Sequence, residues 1–196
     1  MTEIRLYRPE DERGWLECRV LAFLNTAYFD NVYKEKEVYE NPSLELVAEE
    51  DGKIIGLLDI ECETKPGQFC ANQDQRSGMI WHMAVHPNHG RKGIATLLLR
   101  YAEKILTEKG IRRLEAWTRD DQWVQNWYRK NGFQAADSYL HVYMEGNEMN
   151  GMIESKSSKL FPVTTFAHYT GEEREEMKKR FKRVHECFMF EKRLTT

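Results

Sequence analysis

The chain has 196 residues, 41% hydrophobic and 12% aromatic, enough for one domain with a sizeable core and too apolar for a disordered segment. Its formal net charge of −3 argues against general nucleic-acid binding, so any anion site has to be local. No run is apolar enough to span a membrane, the opening MTEIRLYRPED lacks a secretory core, and Cys18, Cys62, Cys70 and Cys187 include no CxxC pair, so the expectation is a cytoplasmic protein with free thiols and no metal site.

Residues 4–7, IRLY, alternate as a short strand that Pro9 ends. Asp11 can cap a helix over residues 12–26, with Trp15, Leu16, Val20, Leu21, Phe23 and Leu24 as its apolar stripe. The aromatic stretch 27–33 and the charged patch up to Asn41-Pro42 are too broken for one long helix. A short second helix or a loop is expected there. Asp51-Gly52, between apolar runs at 44–47 and 54–60, is the strongest hairpin signal in the chain. The second run puts Leu58, Ile60 and Cys62 on one face and Asp59, Glu61 and Glu63 on the other.

Residues 65–77 are polar and read as a loop, and 79–85 form the next strand. A helix follows over 94–109, with Leu97, Leu98, Tyr101, Ala102 and Ile105 expected to be buried and Gly110 ending it. Residues 111–118 read as a strand. Asp120 or Asp121 caps a helix running to about residue 130, and 138–144 alternate as a strand. Beyond 145 the pattern weakens: 146–158 are polar, 160–170 are mixed, 171–184 form a charged helix whose ends match the dipole, and CFMFEK at 187–192 is a last strand. No repeat or Gly/Ser linker divides the chain, so one domain is expected over 1–196. The order implies an α+β, α/β-like fold with a mixed central sheet of about six to seven strands and about four helices.

The most informative stretch is VHPNHGRKGIATLLL, residues 85–99. A strand ends in a basic, glycine-bearing turn that opens directly into a helix. The first N–H groups of a helix lack internal partners and carry the positive end of the dipole. Two glycines let the backbone approach a bound group, and Arg91 and Lys92 add charge. A phosphate or pyrophosphate suits such a turn; the alternative is a plain basic surface turn. Neither GxxxxGK[ST] nor GxGxxG is present. One parallel crossover spans 79–118, which puts a ligand at the carboxyl end of its first strand.

Gly90-Arg91-Lys92-Gly93-Ile94-Ala95, after Val85-His86-Pro87, resembles the acyl-CoA loop of the GNAT acetyltransferases, Gln/Arg-x-x-Gly-x-Gly/Ala after a strand ending near V-x-P. Gly93 and Ala95 fit; Gly90 stands where the family has Gln or Arg. A second match is Tyr128-x-x-x-Gly132-Phe133, with Asp121 seven residues earlier where the family often has Asn. CFMFEKRL is similar to the family's last strand, which makes 145–183 an insertion before it. The resemblance covers about residues 4–144 and the last ten or so.

By that resemblance the chain is an acetyl-CoA-dependent N-acetyltransferase acting on a primary amine by direct attack. The pyrophosphate sits on the N–H groups of Gly90, Arg91, Lys92, Gly93, Ile94 and Ala95. The backbone of Met83 and Val85 holds the pantetheine arm and acetyl carbonyl. Tyr128 acts as general acid to the leaving thiolate, a role a phenol can fill. The base is open. Period-2 alternation sets Met79, Trp81, Met83 and Val85 on one face and Ile80, His82 and Ala84 on the other, with no acid on the first. His82 has a suitable ordinary pKa but faces away. Glu61 is the other candidate, acting directly or through a water. For the acceptor the resemblance implicates Tyr28, Phe29, Asp30, Tyr33, Tyr39 and Glu40, beside Trp81. Aromatic rings with interleaved acids suit a small cationic amine. The insertion's Phe161, Phe166, His168 and Tyr169 either wall this pocket or form a homodimer contact. Alternatives are a protein N-terminus or lysine as acceptor, a non-catalytic acyl-CoA-binding module, and a domain for another nucleotide.

Overall fold

Asp51 and Gly52 both take positive φ, 51° and 75°, the geometry that twists a two-residue turn to match its flanking strands. They join strand β2 (Ser43–Glu50) to β3 (Lys53–Cys62). The computed structural model describes residues 1–194. Its other elements are β1 (Glu3–Leu6), α1 (Glu12–Phe23), β4 (Ser77–Val85), α2 (Ile94–Glu108), β5 (Arg113–Thr118), α3 (Gln122–Lys130), β6 (Gln134–Glu145), β7 (Thr164–Tyr169), α4 (Arg174–Arg180) and β8 (Arg183–Arg193). The strands form one sheet in the order β1-β2-β3-β4-β5-β8-β6-β7. Among the described residues only β4 and β5 pair in parallel, joined by the α2 crossover; the other pairs are antiparallel.

Among the described residues this is the expected α+β fold with four helices, but with eight strands rather than six or seven. The additional one is β7, an edge strand in the stretch that the residue pattern left mixed. Its side chains alternate between half-buried and exposed, so it carries too few apolar positions to show a clear period.

Helices α2 and α3 cover one face of the sheet. Ile94, Leu98, Leu99, Ala102 and Leu106 of α2 pack there on Leu46, Leu58, Ile60, Leu114 and Phe190. The buried stripe differs from the expected one, since Leu97 and Tyr101 are exposed. The α4 segment extends this layer, with Met177 and Phe181 on Leu140, Val142 and Met144. Helix α1 covers the opposite face through Trp15 and Cys18, against Val47, Leu57 and Ala84. Its buried side also carries Arg19, while Leu21 and Leu24 are exposed. A buried cation hides the true inward face from an apolar count. Asp11 does not cap α1 with its side chain; it pairs instead with Arg5, at 2.6 and 2.7 Å.

Residues 24–42 form no second helix, only short turns. They run as a strap across the α1 face, held by polar side chains. Arg19 donates to the carbonyl and side-chain oxygens of Asn31, both at 2.7 Å. Lys36, 7% exposed, reaches Asp59 at 2.8 Å and Glu45 at 2.6 Å. Tyr39 donates to Asp59 at 3.0 Å.

Candidate active site

The β4–β5 ladder stops at Ile80↔Ala116, although β4 runs on to Val85 and β5 to Thr118. Past that point the two strands diverge, and the β5-facing peptide groups of residues 81–85 have no strand partner. The opening lies at the carboxyl ends of the two parallel strands, where open α/β sheets take ligands.

Beyond β4, the turn at Pro87–His89 leads into Gly90, Arg91, Lys92 and Gly93. Arg91 has φ 61° and Gly93 φ 82°. A Cβ at Gly93 would meet nothing within 4 Å, so glycine is set there by backbone conformation and not by crowding. The first bond back along α2 is Leu97 N–H to the Gly93 carbonyl, 3.0 Å. The N–H groups of Ile94, Ala95 and Thr96 therefore precede the hydrogen-bonded ladder and face outward. With the exposed Arg91 and Lys92 beside them, they form a cradle that fits a diphosphate.

Across the opening, Trp127 of α3 donates to the Thr96 hydroxyl at 3.3 Å, fixing α3 against the first turn of α2. Tyr128 is 6% exposed. Its ring stacks on Phe190 at 5.3 Å and meets Trp127 and Phe133 edge-on. Burial pushes its phenol well above the ordinary range. Asp121 stands at the N-terminus of α3, but its carboxylate turns away and accepts from the Ala27 N–H at 3.0 Å. It ties α3 to the strap.

The α1 side holds the remaining candidates. The register across β3 runs Asp59↔His82, then Ile60↔Ile80, so Trp81 is a bulge with no partner. This breaks the expected alternation. Ile80 joins Met83 and Val85 on the α2 face, packing with the main core, while Ala84 packs beneath α1. A one-residue bulge shifts the facing of everything before it. Trp81 is 45% exposed, and its indole donates to Glu61 at 2.8 Å.

Glu61 is buried and also accepts from the backbone and side-chain N–H of Asn41, at 3.0 and 2.8 Å. Burial raises its carboxyl, but these donors outweigh that and hold it below the usual range. His82 sits beneath α1 with both ring nitrogens engaged. Nδ1 accepts from Arg19 at 3.3 Å and Nε2 faces Glu37 at 2.9 Å, which assigns the proton to Nε2. Burial, then the charges of Arg19 and Lys36, push its pKa down to about 3, so it is neutral.

The strap residues divide into two groups. The Tyr33 ring covers Arg19 at 4.0 Å and meets His82 edge-on. Tyr28, Phe29 and Asp30 lie at the β5–β8 end. The Tyr28 hydroxyl accepts from the Arg119 N–H at 3.0 Å. The Phe29 ring lies under Arg183, 4.5 Å away, and Asp30 takes Arg183 in a fork at 2.7 and 2.9 Å. Sequence reasoning missed Arg19, Lys36, Arg119 and Arg183, the cations that hold this side together. They are single basic residues without motif spacing, and only the folded strap gives them partners.

No helix among the described residues is long and apolar enough to cross a membrane. The sequence matches the Acetyltransferase (GNAT) family over residues 4–133, which span both the cradle and Tyr128. It is 28% identical over 143 residues to an acetyltransferase of Sodalis glossinidius (strain morsitans), covering 70% of this chain and 91% of that protein. The fold is similar to the PaiA N-acetyltransferase of Thermoplasma acidophilum in complex with coenzyme A, at 18% identity and a TM-score of 0.57, covering 98% of this chain and 99% of that one. It is likewise similar to the ribosomal-protein-S18-alanine N-acetyltransferase of Escherichia coli, at 11% identity and a TM-score of 0.60, covering 100% and 96%. The diverging parallel strands, the uncapped start of α2 and the matched span lead to one assignment: the chain belongs to the acetyltransferase (GNAT) family.

Proposed function

We propose that this protein transfers an acetyl group from acetyl-CoA to a primary amine by direct attack. The observation that carries the reading is the split between β4 and β5 beside the uncapped first turn of α2. The N–H groups around Gly90 to Ala95, with Arg91 and Lys92, would bind the pyrophosphate. The backbone of Met83 and Val85, past the last β5 pair, would align the pantetheine arm and the acetyl carbonyl.

Acetyl-CoA supplies the acetyl group as a thioester. The amine nitrogen forms the new C–N bond as the C–S bond breaks. Tyr128, held protonated by burial, gives its proton to the leaving thiolate. The acceptor, entering as an ammonium, must also lose two protons: one before attack, and one from nitrogen as the C–N bond forms, which restores the Tyr128 phenol. Glu61, whose donors hold its carboxyl below the usual range and which lies next to the exposed Trp81, attracts the ammonium and relays its first proton through a water to solvent. His82, with both nitrogens engaged, positions the strap and does not itself exchange protons.

The rings of Tyr28, Phe29, Tyr33 and Trp81 support a small amine as acceptor. Asp30, the acid expected to balance a cationic acceptor, is occupied by Arg183. A second reading, a non-catalytic acyl-CoA-binding module, draws on the three donors that keep Glu61 a weak base. A thiol-release assay over an amine panel, with acetyl-CoA binding measured in parallel, separates the two. Binding with turnover supports transfer, and binding without thiol release for any amine supports the module.

A further inference from the structure

On the sheet face opposite α2, the floor beyond the β4–β5 opening is basic. Arg119 directly follows β5 and is 4% exposed, yet none of the ion pairs among the described residues includes it. Its guanidinium donates to the Ala27 carbonyl and lies 4.4 Å from the Tyr28 ring and 5.5 Å from that of Phe166. Its Nε is buried with no hydrogen-bond acceptor. The other charges of this floor are matched: Asp30 holds Arg183, and Asp120 meets His185 at 2.9 Å. Among the described residues this buried positive charge therefore has no ion pair of its own and feels the Asp30 carboxylate only at longer range, an arrangement that an anion beside it would complete.

Beside Arg119, beyond the Phe166 ring, runs a row of polar rings. His141 of β6 sits opposite His185 of β8 and His168 of β7. The Tyr139 and His168 centroids are 4.3 Å apart, those of His141 and His168 5.0 Å, and those of His141 and Phe166 4.7 Å. Trp117 of β5 meets Tyr139 at 5.0 Å, joining the row to the wall of the opening. His168 and Phe166 are exposed and Tyr139 and His141 partly so. Burial, then the charge of Arg119, push His141 down to about 4, leaving it a neutral hydrogen-bonding group. An anion entering over this row meets the neutral His141 and Tyr139 with a cation behind them.

We propose that the acceptor amine carries a carboxylate, received by His141, His168 and Tyr139 over the guanidinium of Arg119, which has no ion pair of its own. This rests on the acetyl-transfer reading above. The acceptor then lies across the opening, its ammonium toward Glu61 on β3 and its carboxylate toward Arg119. A guanidinium favours a carboxylate in geometry as well as charge.

The test is thiol release by the full chain with acetyl-CoA and matched acceptors: ω-amino acids of increasing length, their carboxamides, and the diamines of equal length. Acetyl-CoA binding is measured by calorimetry on the same preparation. The proposal expects kcat/KM at least about tenfold higher for a carboxylate than for its carboxamide, and Arg119→Gln to bring that ratio near one. Carboxamides or diamines turned over as well as the carboxylates would overturn it while leaving acetyl transfer intact. Acetyl-CoA binding without turnover of any member would overturn it in favour of the non-catalytic module. No acetyl-CoA binding would remove both readings. If Arg119→Gln does not fold, Arg119→Lys, which keeps the charge and loses the fork, is expected to retain part of the preference, and the wild-type comparison decides the question alone.

Discussion

At Tyr128 the phenol lies among Trp127, Phe133 and Phe190, so Tyr128→Phe keeps the packing and removes only the proton donor. The expected result is a fall in kcat of roughly a hundredfold or more, with acetyl-CoA affinity changed by less than about threefold; stopped-flow thiol release and calorimetry measure the two. His82 makes a second residue-scale claim. Its folded pKa is pushed to about 3 from an ordinary 6.5, so between those values the unfolded chain binds the extra proton. The stability it contributes is complete above pH 6.5 and is lost as pH falls toward 3, at about 1.4 kcal/mol per unit. Urea midpoints taken from pH 7 to pH 4 should fall less steeply in His82→Gln than in wild type, and equal slopes would contradict the assignment. Tyr128 and Gly93 were legible in the sequence because their spacing from fixed turns survives any packing. The surroundings of His82 were not, because they depend on the strap and on the Trp81 bulge.

The strap over residues 24–42 is held by charges rather than by a helix. Lys36 is its deepest anchor, against an Asp59 that is 0% exposed. Burial raises Asp59 to about 6, against the pull of Lys36. Lys36→Met leaves a buried carboxylate uncompensated and is expected to cost about 3–5 kcal/mol by urea unfolding. Lys36→Met with Asp59→Leu should recover most of that loss, because replacing a buried pair by apolar groups is close to neutral. A double variant no more stable than the single one would show that the strap is held elsewhere. Elements with their own local signals, such as the Asp51-Gly52 hairpin and the start of α2, were readable from residues alone. The strap and β7 carry no such periodicity, whereas α4 was readable from the charges at its ends, although it is shorter, Arg174–Arg180, than the 171–184 helix they suggested. The inward face of α1 was obscured by Arg19, whose burial is offset by Asn31 and the rings of Phe23 and Tyr33.

Over the whole molecule, one parallel pair in an otherwise antiparallel sheet defines where chemistry can occur. β4 and β5 share only Ser77 to Ile80 and Arg113 to Ala116; their free ends open between the α2 cradle and the strap. Strand order was not legible: β8 inserts between β5 and β6, a pairing that Phe188 and Phe190 set by packing against the main core. The central claim is that this opening binds acetyl-CoA through the first turn of α2. Calorimetric titration of acetyl-CoA into the wild type and Gly93→Asp tests it most directly. Asp at position 93 would have to adopt φ 82°, a strain of about 1–2 kcal/mol, and would set a negative charge on the diphosphate cradle. Saturable one-site binding is expected of the wild type, and at least about a hundredfold weaker binding of Gly93→Asp. No binding by the wild type, or equal affinity in the variant, would contradict it.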